Sequence, residues 1–125
     1  MSEILKLSPT LVWKHFYEMN QIPRPSKKED RIQAHFKAKA EQQGLEVLQD
    51  DIGNLLIRKP ATQGYEQSPA IIIQGHTDMV CQKNDGTEHD FEKDPIEMYV
   101  DNDWVKARGT TLGVDNGIGV AMGMA

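Results

Sequence analysis

Two amphipathic helices are predicted at the start of the chain. The first follows Ser8-Pro9, a capping residue and a proline at the first helical position, and its apolar spacing stops at Pro23. The second is predicted to follow Ser26, because Glu29 three residues later completes a capping box, and to stop at Gly44. The apolar positions recur at helical spacing in both: Leu11, Val12, Phe16, Met19, Ile32, Phe36 and Ala40.

Beyond Gly44 the apolar pattern changes to short runs that are typical of strands. Residues 45–47 and 55–57 predict a hairpin around the turn DDIGN, and residues 96–100 and 104–107 predict a second hairpin around DND. Residues 70–73, between a polar loop and a glycine, predict a strand covered on both faces.

The last predicted element is a glycine-containing helix that begins near Asn116 and includes GIGVAMGMA. A helix that is apolar all round needs burial on every side. We therefore expect residues 1–125 to be the N-terminal part of a longer catalytic domain. The order of helices and strands predicts an α/β class, with a mixed β-sheet flanked by helices.

Composition narrows the possible partners. The 125 residues carry a net charge of −5, and no basic block is longer than Lys27-Lys28, which argues against nucleic acid and anionic membranes as partners. The N-terminus lacks an apolar signal segment, and no run approaches the ~18 apolar residues of a membrane span. A single cysteine, Cys81, agrees with a reducing compartment, and we expect a cytoplasmic protein.

His76 and Asp78 follow the predicted strand 70–73 directly. Ligands of open α/β sheets bind at strand ends, and side chains two apart on an extended chain point the same way. An aspartate beside a histidine can accept its N–H and make the other ring nitrogen a better metal ligand. The alternative is a strand-end histidine satisfied by an aspartate without a metal, which an isolated H-x-D pattern favours.

Asp115 lies among glycines at the start of the last predicted helix. Free backbone N–H groups at a helix start favour an anion, and the neighbouring glycines allow close approach of another group. A plain N-cap aspartate is the commoner reason for an aspartate at such a position. Both interpretations of Asp115 stay open on these residues alone.

Five motifs in one order resemble the N-terminal part of the M20 metallopeptidases, and within them the aminoacyl-histidine dipeptidase group. A single H-x-D is a weak signal, whereas five motifs in register are a specific one. The motifs are IPRPS at 22–26, IIIQGHTDMV at 71–80, CQKN at 81–84, GTEHDFEKDPI at 86–96 and GTTLGVDNGIG at 109–119. Val114 departs from the alanine expected in the last motif.

The resemblance implies a di-zinc dipeptidase that hydrolyses dipeptides, typically ones ending in histidine. It implies that His76 is a zinc ligand, that Asp78 orients this histidine, and that Asp115 bridges two metal ions. Manganese or cobalt are alternative metals for such a site. A small peptide substrate is the implied partner, and a homodimer is compatible with the full-length protein.

The general-base glutamate and the other metal ligands of this group lie beyond the 125 residues. Glu88, His89 and Asp90 belong to another motif and are not expected to replace them. We therefore expect this chain alone to bind zinc weakly and to hydrolyse nothing, because catalytic zinc usually keeps three protein ligands. Two alternatives stay open: another M20 activity such as tripeptidase, carboxypeptidase or deacylase, or an inactive truncated product or binding module.

Arg24 is expected to belong to the solvated, charged start of the second helix. A contact between Arg24 and a substrate carboxylate is the less favoured alternative.

Overall fold

The computed structural model describes residues 2–125, which contain three α-helices, one 3₁₀-helix and four short strands. The 3₁₀-helix Glu3–Lys6 precedes the α-helices, which are α1 (Thr10–Asn20), α2 (Asp30–Gln42) and α3 (Val114–Met124). The strands are β1 (Glu46–Gln49), β2 (Leu55–Arg58), β3 (Met98–Asp101) and β4 (Trp104–Ala107). The predicted α/β class is confirmed. None of the helices in residues 2–125 has the length and apolar character that a membrane span needs.

The strands form two antiparallel hairpins in place of one mixed sheet. Val47 of β1 lies opposite Ile57 of β2, and Val100 of β3 lies opposite Val105 of β4. In the β1–β2 turn, the Asp50 carboxylate accepts hydrogen bonds from two backbone amides. Both predicted hairpins are therefore confirmed, whereas the prediction of a single mixed sheet is wrong.

Residues 70–73 do not form a strand. Ile71, Ile72 and Ile73 are 87%, 84% and 74% exposed, and no strand within residues 2–125 pairs with them. A buried strand needs neighbours that satisfy its backbone N–H and C=O groups. The prediction of a strand covered on both faces is wrong here, because the described residues supply neither a pairing strand nor a cover.

The chain divides into two compact units. The first joins the residues up to Ile32 with Gln74–Ala125, and the second is Gln33–Ile73. Within the first unit, α1 packs against α3 and against the 3₁₀-helix. All three predicted site residues belong to this unit. Its buried apolar side chains are Ile4, Phe16, Met19, Ile32, Met79, Ile96 and Ala121.

Helix α2 begins at Asp30, so the capping box predicted at Ser26 is wrong. The Ser26 hydroxyl donates to the carboxylate of Asp78, 52 positions along the chain, instead of accepting from a backbone N–H in the first turn of a helix. Lys27 has a positive φ of 71°, and its backbone N–H donates to the Glu29 carboxylate. The serine is therefore part of the candidate site.

Candidate metal-binding site

Two loop segments of the first unit, residues 76–84 and 109–115, lie side by side. Thr111 ties them twice, because its N–H donates to the carbonyl oxygen of Gln82 at 2.9 Å and its hydroxyl donates to that of Val80 at 2.7 Å. The N–H of Asn84 donates to the carbonyl oxygen of Gly109 at 2.8 Å. These hydrogen bonds bring the segment that follows His76 next to the segment that leads into α3.

The start of α3 is irregular. Gly113 adopts a left-handed conformation with φ 74°, and both Asp115 and Asn116 have non-helical backbone angles, with a cis peptide bond between them. The Asp115 side chain is 97% exposed and its Oδ1 lies 3.1 Å from Nε2 of His76. Asp115 thus lies in the first turn of the helix, as predicted, with its carboxylate facing the histidine of the other segment.

His76 lies between two carboxylates. Its Nδ1 is 2.9 Å from Oδ1 of Asp78, and its Nε2 is 3.1 Å from Oδ1 of Asp115. A neutral imidazole has one N–H and can donate to only one of them. Both contacts are attractive only when a positive charge, either a second proton or a cation at Nε2, is present.

The pKa shifts of His76 and Asp78 agree with a positively charged imidazole between two carboxylates. The hydrogen bond to Asp115 raises the pKa of His76 above its usual 6.5, and Asp78 raises it further. Ser26 donates to Oδ2 of Asp78 at 2.5 Å, which lowers the pKa of this carboxyl, and His76 lowers it further. Asp78 is therefore held ionised as the acceptor of the Nδ1–H of His76.

Asp115→Asn is expected to bring the pKa of His76 back toward 6.5, because it removes the strongest of the raising contacts. With a folded-state pKa above 6.5, the contacts of His76 stabilise the fold fully below pH 6.5, and this contribution is lost as the pH rises through the folded-state pKa. Proton NMR titration of the His76 ring, in chelator-treated samples, measures the change. Asp103→Asn, an equal charge change in the exposed β3–β4 turn, should leave it unaltered; equal values in both variants would contradict the assigned contact.

Comparison with known proteins agrees with the motifs, although no family model matches the chain. The chain is 50% identical over all 125 residues to the cytosol non-specific dipeptidase of Escherichia coli (strain K12). It also matches the crystal structure of aminoacylhistidine dipeptidase from Vibrio alginolyticus, with a TM-score of 0.96 and 48% identity over 98% of the chain. The resemblance to the aminoacyl-histidine dipeptidases is confirmed. The chain spans 26% and 25% of these two relatives, about a quarter of each.

In this dipeptidase-like chain, the three residues predicted for the site meet at one place, as the contacts of His76 with Asp78 and Asp115 show. Their roles as metal ligands and orienting carboxylate stay predictions. No group of three or more His, Cys, Asp or Glu within residues 2–125 is arranged to hold a metal ion.

The excluded EHD triplet has other contacts. The ring of His89 packs edge-on against Phe91, with centroids 4.5 Å apart, and Asp90 pairs with Lys93 at 2.9 Å. Neither contact involves His76. These contacts agree with the exclusion of the triplet from the site.

Sequence reasoning missed the contact of Ser26 with Asp78 and the contacts of Arg24 with Thr77 and Gly113. The capping-box pattern predicts Ser26 at a helix start, although its position in the motif IPRPS is a usable signal. Arg24 is 1% exposed, so the expectation of a solvated charge is wrong. Its guanidinium is enclosed by backbone from both segments, which no spacing pattern in the sequence indicates.

Proposed function

We propose that this chain carries part of the metal centre of a metal-dependent dipeptidase, in which His76 and Asp115 are metal ligands and Asp78 orients His76. The observation that carries the proposal is the position of His76 between two carboxylates that come from separate segments. Such a cluster is stabilised by a cation at Nε2. Similarity to two proteins named as dipeptidases supports the same chemistry.

The distance between the two proposed donor atoms, Nε2 of His76 and Oδ1 of Asp115, fits zinc. Zinc bonds to histidine nitrogen and carboxylate oxygen of ~2.0–2.2 Å place two tetrahedral ligand atoms roughly 3.4 Å apart. Nε2 of His76 and Oδ1 of Asp115 are 3.1 Å apart, within a few tenths of an ångström of that separation. The second oxygen of Asp115 is free to serve another ion, as a bridging role requires. In this proposal the other ligands and the general base belong to a region that corresponds to the unmatched part of the relatives.

Asp78 and Ser26 orient the imidazole of His76. Asp78 accepts the Nδ1–H and fixes the tautomer, so that the lone pair of Nε2 is directed toward Asp115. Ser26 holds the carboxylate of Asp78 in place. Metal ions held by His76 and Asp115 would polarise the peptide carbonyl and lower the pKa of a water molecule.

The proposed substrates are dipeptides, with those ending in histidine first. One relative is named for aminoacylhistidine and the other is named non-specific, so a range of dipeptides is the substrate class to test. Zinc is the proposed metal, with manganese and cobalt as alternatives for a histidine and carboxylate site. We place the protein in the cytoplasm, in agreement with the relative named as cytosolic.

Zinc titration by calorimetry tests the ligand assignment on this chain, on His76→Ala and on Asp115→Ala. We expect weak binding by the unaltered chain, a fall of about 10-fold or more in both variants, and stronger binding at higher pH as Nε2 loses its proton. Asp103→Ala, which removes an exposed aspartate outside the site, is the control. Equal affinity in all four proteins would contradict the assignment.

Hydrolysis of a histidine-ending dipeptide, assayed on the same zinc-loaded samples, tests how complete the site is. We expect no turnover, because two ligands are fewer than the three that a catalytic zinc usually keeps. Turnover that disappears in His76→Ala would contradict the partial-site interpretation and would show that residues of this chain complete the centre.

A further inference from the structure

Arg24 lies buried between the two segments that carry the candidate ligands. Its Nη1 donates to the carbonyl oxygen of Thr77 at 2.9 Å, and its Nη2 donates to that of Gly113 at 3.1 Å. Nη2 also donates to Oδ1 of Asn20, at the end of α1, at 2.8 Å. The carbonyl oxygen of Arg24 accepts the N–H of Met79 at 3.0 Å. One residue thus connects α1 with both segments.

The backbone around the guanidinium leaves no space for side chains. A Cβ atom at Gly113 would lie 2.4 Å from Nη2 of Arg24, and one at Gly117 would lie 2.8 Å from the same atom. The two glycines therefore let the start of α3 approach the guanidinium directly. The contact is closely packed, so we expect a change of side chain at residue 24 to shift this backbone.

Burying a charged guanidinium costs desolvation free energy, so stability by itself is a poor explanation for Arg24. Burial lowers the pKa of Arg24 to about 10, while nearby Asp78 opposes this shift, so the guanidinium stays charged at neutral pH. Apolar side chains of similar volume often replace buried charges without loss of stability. A lysine ammonium also lacks the fork of donors that reaches two separated carbonyl groups. The specific benefit of arginine here is geometric.

We propose that Arg24 is a positioning residue that sets the distance between Nε2 of His76 and the carboxylate of Asp115. Thr77, which it holds, lies between His76 and Asp78, and Gly113 lies two residues before Asp115. The proposal rests on the proposed function for the identity of the metal ligands. The geometric part stands without a metal, and it is tested in that state.

The metal-free test uses NMR on the whole chain. An ideal Cβ at Gly75 would lie 2.7 Å from Nδ2 of Asn116 and 2.9 Å from a methyl carbon of Val120, so the Gly75 α-protons are close to α3. We expect nuclear Overhauser effects between these protons and both side chains in the unaltered protein. Arg24→Met and Arg24→Lys are expected to weaken them, while Arg108→Met, which removes an exposed arginine paired with Glu97, leaves them unchanged.

The second measurement is zinc affinity per folded molecule, by NMR titration of the same proteins. We expect a fall of about 10-fold in Arg24→Lys and a larger fall in Arg24→Met, with no change in Arg108→Met. Ile32→Val, a destabilising change at a buried core position, controls for stability and should keep full affinity. If Arg24→Met does not fold, Arg24→Lys decides the question.

The outcomes separate the two proposals. Unchanged Overhauser effects and unchanged zinc affinity in folded Arg24→Lys would overturn the positioning role. Suppose that the Overhauser effects weaken in the Arg24 variants, while His76→Ala and Asp115→Ala leave the zinc affinity unchanged. This result would support the positioning role and contradict the proposed metal ligands. Destabilisation of Arg24→Lys with full Overhauser effects would show that Arg24 contributes to stability only.

Discussion

Gly113→Ala is expected to lower the free energy of unfolding by about 2–5 kcal/mol. The backbone of Gly113 has φ 74°, a left-handed conformation that costs any residue with a Cβ roughly 1–2 kcal/mol. The new methyl group would also lie 2.4 Å from Nη2 of Arg24, and overpacking of this kind costs about 1–3 kcal/mol. The guanidinium cannot move aside cheaply, because Thr77 and Asn20 hold it by hydrogen bonds.

Gly86→Ala is the matched control for this prediction. Gly86 has a similar φ of 79°, belongs to the same unit, and has open space where a Cβ would be. It should show only the conformational part, about 1–2 kcal/mol. Urea unfolding followed by the fluorescence of Trp13 and Trp104 compares the two variants. Equal losses would show that the guanidinium yields without cost.

Phe16→Ala is expected to cost about 3–5 kcal/mol of unfolding free energy, the usual range for a buried phenylalanine. Phe16 is fully buried in α1, and its ring contacts Trp13 edge-on with centroids 6.3 Å apart. Its Cε2 would be 3.0 Å from a Cβ at Gly117, so the ring is packed against the start of α3. Truncation leaves a cavity beneath the helix that carries Asp115.

Leu11→Ala on the same helix is the comparison for Phe16→Ala. Leu11 is half-exposed, and its truncation should cost less than about 1 kcal/mol. Both variants are measured by urea unfolding with the same tryptophan signals. A loss at Phe16 as small as that at Leu11 would mean that the first unit does not depend on the contact between α1 and α3.

The sequence predicts local structure well where the signal is local. Periodicity and breakers predict α1 and the existence of α2, and alternating runs around DDIGN and DND predict both hairpins. The pairing of His76 with Asp78 also follows from a spacing of two residues on an extended segment, and the structure shows it at 2.9 Å. In these cases the deciding contacts lie within a few residues of each other.

The errors concern partners that are distant in sequence. Ser26 satisfies the local rule for a capping box, yet Asp78, 52 positions away, takes its hydroxyl. Arg24 lies in a charged stretch, yet Thr77 and Gly113, 53 and 89 positions away, enclose its guanidinium. Residues 70–73 have strand composition, but composition does not supply a neighbouring strand. Hydrophobic periodicity carries no information about which distant backbone group a polar side chain will meet.

The exposure of Asp115 has an entropic consequence. Its side chain is 97% exposed and that of His76 is 52% exposed, so, apart from the contacts of His76 with Asp78 and Asp115, little surrounding protein restricts their rotations. An ion that binds both must first restrict these rotations, and losing side-chain freedom costs free energy. Burial of the same carboxylate against further protein would restrict its rotation before an ion binds. For the proposed metal site, enclosure of these two side chains therefore matters as much as additional ligands.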